Sequence, residues 1–144
     1  MPEKARPQRV VVYVDGGARG NPGPAGIGVV LTDDDGNELD RANDFIGVAT
    51  NNVAEYRALL LGLERARALG ANEVEVVNDS QLVARQLTGE YRVKNADLRP
   101  LHAAALAALG DFARWSVRSV PREKNEIADA LVNEALDVGS STTG

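Results

Sequence analysis

Four acids stand where a folded α/β core normally spends no charge. Asp15 closes the apolar run Val10–Val14, Glu55 falls on the first turn of a periodic segment, Asp79 follows Val74–Val77, and Asp129 interrupts Ile127-Ala128-Asp129-Ala130-Leu131-Val132. Taken singly, three have structural readings. Asp79 can cap a helix by accepting the backbone N–H of Leu82. Asn52 and Glu55 are spaced as a capping box, and Asp15 before Gly16-Gly17 can be a turn residue. Asp129 resists such a reading, because Asp is a mediocre former in a helix interior and its neighbours are apolar.

Taken together, the four suggest chemistry. Ligands of open α/β sheets bind beyond the carboxyl ends of the strands, where Asp15 and Asp79 both stand. If their strands are neighbours, the two anions repel unless a cation or a shared proton intervenes. Mg²⁺ suits such a set, since it takes carboxylate and water oxygens and requires neither Cys nor His. Two such ions about 4 Å apart activate water at a phosphodiester and stabilise the leaving oxygen. Asp15 would then bridge both ions, Glu55 and Asp79 would hold one, and Asp129 the other.

The rest of the composition narrows the choice. The 144 residues suit one domain. With 44% hydrophobic and 26% charged residues, the chain can build an ordinary core. There is no cysteine and one histidine, which excludes thiolate chemistry and multi-histidine zinc sites. The start, Met1 to Arg9, has no apolar segment of signal-peptide length, and no apolar run is long enough to span a membrane. A cytoplasmic monomer without membrane contact is expected. A net charge of -5 argues against broad attraction to nucleic acid. The charge is uneven, however: Arg85 to Lys124 carries eight Lys/Arg against four acids. On charge alone, a solvated mixed surface reads equally well.

The elements that must position the acids follow from periodicity. Val10–Val14 reads as a strand leading into the loop Gly16 to Pro24, Ala25–Leu31 as a second strand, and Glu38–Val48, after the turn Asp33-Asp34-Asp35-Gly36-Asn37, as a third. From Val53, apolar residues recur at helical spacing through Leu69, before Gly70. Glu73–Val77 reads as a strand, Asp79–Leu87 as a helix, Leu98–Leu109 as a helix, Arg114–Val120 as a strand and Asn125–Leu136 as a final helix. The order βββαβααβα predicts an α/β fold with a mixed five-stranded sheet flanked by helices. The domain is expected over residues 9–138, between a flexible start (1–8) and a flexible tail (139–144).

Four segments then resemble, in order, the signatures of the type 1 ribonuclease H family. They are Asp15-Gly16-Gly17-Ala18-Arg19-Gly20-Asn21-Pro22-Gly23, Thr50-Asn51-Asn52-Val53-Ala54-Glu55, Asp79-Ser80-Gln81 and Asn125-Glu126-Ile127-Ala128-Asp129. The resemblance spans roughly Val10 to Leu136. It implies a ribonuclease H-like fold and an endoribonuclease that hydrolyses the RNA strand of RNA–DNA hybrids, leaving 3′-hydroxyl and 5′-phosphate ends. Asp15, Glu55, Asp79 and Asp129 would be the catalytic carboxylates and the ligands of two Mg²⁺ or Mn²⁺ ions. Asn21, Asn51 and Gln81 would contact the hybrid near the RNA strand, with Thr50 and Asn52 toward a DNA phosphate. For Asn21 and Asn52, turn and capping duty is the competing reading.

Two departures set this chain apart within that pattern. Many members carry a histidine in the loop before the last helix; here that loop is Val120-Pro121-Arg122-Glu123-Lys124, and Arg122 resembles the arginine of a histidine-less subgroup. A cation there would hold the scissile phosphate. His102, on the alanine-rich helix, is expected to pack or face solvent. The second departure is that Gly89–Leu98 is too short for the basic handle of some members, leaving Arg92, Lys94 and Arg99 to supply positive surface. Trp115 is expected in the core. The competing functions are another nuclease on the same fold, a hybrid-binding module without catalysis, and a calcium-binding or structural domain.

Overall fold

The central strand β1 (Arg9–Ala18) begins with a continuous run of β-branched and aromatic residues, which favours extended backbone, and consecutive positions of it are buried because both faces of the strand are covered. In the computed structural model, which describes residues 8–143, Val10, Val12 and Val14 are at most 1% exposed. Two antiparallel neighbours follow, β2 (Gly23–Thr32) and β3 (Glu38–Ala49), joined by the turn whose Gly36 adopts φ 85°. Helix α1 (Asn51–Ala68) crosses to β4 (Glu73–Asn78), which pairs parallel to β1. Helices α2 (Gln81–Leu87) and α3 (Arg99–Leu109) lead to β5 (Arg114–Ser119), parallel to β4. A 3-10 turn, Arg122–Lys124, precedes α4 (Glu126–Thr143). The sheet order is β3-β2-β1-β4-β5, the expected mixed five-stranded sheet with helices on it.

One face of the sheet carries the main core. Val10, Val12, Val14, Val29 and Leu31 meet Leu59 and Leu63 of α1, and the same cluster runs on through Leu87, Leu98 and Leu109. The other face receives α4, and small residues decide how closely. A Cβ on Gly28 would stand 2.6 Å from the Ala128 carbonyl oxygen, so the helix backbone rests almost on β2. This close approach brings the first turns of α4 to the middle of the sheet.

Several boundaries differ from the sequence reading. β1 does not stop at Asp15 but runs to Ala18, because β2 continues to pair with it through Ala18–Ala25. What ends there is the parallel ladder: the last β1–β4 pair is Tyr13–Val77, and beyond it β1 and β4 part. Neither capping assignment holds. Thr50, not Asn52, caps α1 by accepting from the Val53 N–H, and Ser80, not Asp79, caps α2 by accepting from the Val83 N–H. The final helix passes Leu136 and Gly139 to end at Thr143. Gly139 is no terminator: it is buried, and a Cβ there would stand 2.3 Å from the Phe45 ring.

At the other end, Gln8, placed by the sequence reading in the flexible start, accepts from the backbone of Asn72 and Glu73. Residues 1–7 and 144 lie outside the described residues. His102 packs as expected, its ring edge-to-face with Tyr56 and its Nε2 3.0 Å from the Gln86 carbonyl. Trp115 is half-buried against the core. No helix among the described residues is long and apolar enough to cross a membrane.

Candidate active site

Where β1 and β4 part, their carboxylates converge. Asp15, Glu55 and Asp79 each place an oxygen in a group whose members lie within 4.8 Å of one another. Asp129 comes from the first turn of α4 and stands in hydrogen-bond contact with Asp15. An open cleft of about 500 Å³ contains all four, with Asn51, Asn52, Ser80 and Arg122 in its wall.

Each acid arrives by a different local device. Asp15 sits opposite Gly28, which offers no side chain to cover it. Glu55 is carried by α1, which presses on β1 at Gly16, where a Cβ would be 2.3 Å from the Ala54 backbone; the nearby Gly16 N–H favours the charged form of the Glu55 carboxyl. Asp79 occupies the step between the end of β4 and the cap of α2.

Burial and mutual repulsion keep these groups from ionising together. Burial first, then the charges of Asp79 and Asp129, push Asp15 up to about 8. Burial, followed by Asp15 and Asp79, pushes Glu55 up to about 9. Burial raises Asp79 as well, offset by the Asn125 side chain and the Arg122 charge. Glu55 Oε2 and Asp79 Oδ2 are buried without a hydrogen-bond partner. Unpartnered carboxylate oxygens at this spacing fit a hard divalent cation, which takes oxygen ligands.

Arg122 is exposed on the 3-10 turn, and its charge lowers the proton affinity of Asp15, Glu55 and Asp79 alike. Replacing it by Ala is expected to raise those proton affinities further. The pH above which divalent-cation affinity levels off, and the rising limb of any activity–pH profile, should therefore move to higher pH. Calorimetric titration with Mn²⁺ from pH 6 to 9 checks this; superimposable curves for the two proteins would remove Arg122 from the electrostatics of the site.

Of the substrate contacts expected from sequence, Asn51 and Asn52 line the cleft, while Asn21, Thr50 and Gln81 stand outside its wall. Asn21 Oδ1 accepts from the Asn51 N–H at 3.1 Å, and Asn51 Oδ1 accepts from the Ala18 N–H at 2.8 Å. Both oxygens accept from backbone N–H groups, which leaves the NH₂ groups as the donors for other partners. Thr50 is engaged by its own helix, and Gln81 is exposed on the first turn of α2. Asn125 and Asn133 received no role from sequence. Asn133 lines the cleft, and Asn125 is 2% exposed against Val14 and Asp79.

The cations divide sharply. Arg9, Arg19, Arg41, Arg65, Arg67, Arg114 and Arg118 are ion-paired. Among the described residues Arg57, Arg85, Arg92, Lys94, Arg99, Arg122 and Lys124 have no such pairing. Residues 88–98 connect α2 to α3 without any further helix, as expected for a chain lacking the handle.

Fold and site together define an α/β domain whose mixed sheet gathers a carboxylate cluster able to hold a divalent cation. The family described as "Reverse transcriptase-like" matches residues 13–135. The ribonuclease HI of Halobacterium salinarum is 50% identical over 90% of this chain. Its crystal structure superposes with a TM-score of 0.88 and is covered to 98%. The N-terminal RNase H domain of a Mycobacterium tuberculosis protein, solved as a fusion with maltose-binding protein, is 45% identical over 94% of this chain, with a TM-score of 0.91 and 99% of that chain covered. LC11-RNase H1, solved with an RNA/DNA hybrid, is 46% identical over 90% of this chain and 98% of its own, with a TM-score of 0.86. The chain belongs to the ribonuclease H family. It spans 65% of the length of the Halobacterium protein and 37% of the full mycobacterial bifunctional protein.

Proposed function

We propose that the chain is an endoribonuclease hydrolysing the RNA strand of RNA–DNA hybrids, with Asp15, Glu55, Asp79 and Asp129 holding two Mg²⁺ or Mn²⁺ ions. The observation that carries this reading is the convergence of Asp15, Glu55 and Asp79, with unpartnered buried oxygens, in a family one of whose members was solved bound to such a hybrid. Bound divalent cations supply Lewis acidity at the phosphate and a more acidic water.

This chain's own residues do the rest. The four carboxylates fix where the cations sit, and their clustering keeps the site selective for cations over the free polyanion. Arg122 faces the scissile phosphate and neutralises part of its charge. Water oxygen adds at phosphorus, the bond to the 3′ oxygen breaks, and that oxygen takes a proton, leaving 3′-hydroxyl and 5′-phosphate ends. Asn21, Asn51 and Gln81 read the RNA strand through its 2′-hydroxyls, with Thr50 and Asn52 on a DNA phosphate. The enzyme works as a monomer in the cytoplasm.

The test is cleavage of a labelled hybrid with Mg²⁺ or Mn²⁺, beside duplex DNA, duplex RNA and single strands. Hybrid-only cutting supports the proposal. Cutting of duplex DNA would reassign the site to another nuclease chemistry, and binding without cutting would leave a hybrid-binding module.

The unpaired cations Arg92, Lys94 and Arg99 carry a further expectation. Each phosphate left without its neutralising side chain lowers the slope of log affinity against log salt by about 0.9. Replacing all three by Ala is expected to flatten the salt dependence of hybrid binding by roughly two to three units, measured by anisotropy without divalent metal. An unchanged slope would place the hybrid elsewhere.

A further inference from the structure

Asn125 stands at the start of α4, where its carbonyl accepts from the Asp129 N–H at 3.1 Å. An Asn at that position ordinarily turns its side-chain oxygen onto the backbone N–H groups of its own helix. Here it does not. Its Oδ1 has no partner, and the side chain is buried to all but 2%. Its Nδ2 instead donates to the Val14 carbonyl at 2.9 Å, across 111 residues of sequence. Val14 lies one residue past the last parallel pair of β1 with β4, so the side chain occupies the gap where the strands part. It also adjoins the Asp79 carboxylate.

One residue thereby links three acid-bearing elements: its side chain reaches β1 beside Asp15 and the β4 exit at Asp79, and its backbone carbonyl holds the α4 turn carrying Asp129. We infer that Asn125 is a positioning residue, holding Asp79 and Asp129 at the distance from Asp15 that sets the site's affinity for divalent cations. The inference rests on the metal-holding role proposed above. It gives a physical reason for the forgone cap: the amide does more for the site by spanning the strand gap than by satisfying one helix terminus. Groups that orient metal ligands from behind typically change affinity 10- to 100-fold when removed.

Asn125→Ser tests this, because Ser is as good a helix cap as Asn but too short to reach both Val14 and Asp79. Calorimetric titration of the substrate-free protein with Mn²⁺ should show affinity reduced about tenfold, at temperatures well below the melting point of the variant. In hybrid cleavage, kcat at limiting Mn²⁺ should fall with KM for the hybrid unchanged, and excess Mn²⁺ should restore it. Native Mn²⁺ affinity in the variant, or a loss of kcat that excess Mn²⁺ does not restore, would reduce Asn125 to a structural role. Should the variant fail to fold, the unsubstituted protein decides: Mg²⁺ titration of the ¹⁵N-labelled chain should shift the Asn125 side-chain NH₂ resonances with the midpoint of metal binding, and unmoved resonances would overturn the inference. Absence of any Mn²⁺ binding by the unsubstituted protein would instead sink the metal-holding reading itself.

Discussion

Metal-free Asp15→Asn protein is expected to melt above the native chain at pH 9, and to match it near pH 4. Asp15 ionises near 3.8 when unfolded but is pushed up to about 8 in the fold, chiefly by burial and then by Asp79 and Asp129. A carboxyl raised on folding contributes stability that is fully present below its unfolded value and lost as pH rises through its folded value. Between about pH 4 and pH 8 the native metal-free protein therefore loses stability that the neutral amide keeps. A difference of a few kcal/mol corresponds to roughly 5–10 °C in melting temperature for a chain of this size. Thermal melts in chelator at pH 4 and 9 check it; parallel melting curves at both pH values would show that Asp15 carries no such strain. The same substitution removes the group common to the cluster, and cleavage should fall on the order of 10⁴-fold, as when one member of a jointly acting set is lost. Saturating Mn²⁺ should raise the melting point of the native chain and leave the variant nearly unmoved.

Gly16→Ala is the second large effect, because it attacks position rather than charge. The new methyl would lie 2.3 Å from the Ala54 carbonyl carbon and oxygen, which are backbone and cannot rotate away. Helix α1 cannot retreat easily either, since Leu59 and Leu63 anchor it in the core at 1% exposure. The expected result is a loss on the order of 3 kcal/mol in stability. Mn²⁺ affinity should fall at least about tenfold as Glu55 is pushed from Asp15 and Asp79. Gly17→Ala is the matched control, for there a Cβ meets only Asn51 Oδ1, at 3.9 Å. Urea melts and calorimetry on both variants check this; equal stability of the two would mean that the contact at Gly16 is relieved without displacing α1.

Element order and the sheet were legible from sequence because strand and helix signals differ, and the β-branched run Val10 to Val14 against the helical spacing of Leu59, Leu60 and Leu63 leaves little choice. The four carboxylates were legible for a different reason. Taken singly, three had ordinary local readings and only Asp129 broke its local pattern; the strand-end rule set Asp15 and Asp79 together. What stayed hidden depended on contacts across the fold. Thr50 and Ser80 took the caps assigned to Asn52 and Asp79, and those two residues line the cleft instead. Gly16 read as a turn glycine, whereas the fold uses it to let a helix touch a strand. Gly139 read as the start of a tail and serves instead as the seat of Phe45. Asn125 read as a motif residue without a role, because nothing local reveals that its amide reaches Val14.

The most direct measurement uses a duplex with one DNA strand and one labelled strand in which a central ribonucleotide run is flanked by DNA, incubated with Mg²⁺ before and after chelation. Cuts confined to the ribonucleotide run and abolished by chelator are expected. Cuts in the flanking DNA, or cutting that survives removal of metal, would contradict the assignment of this carboxylate cluster.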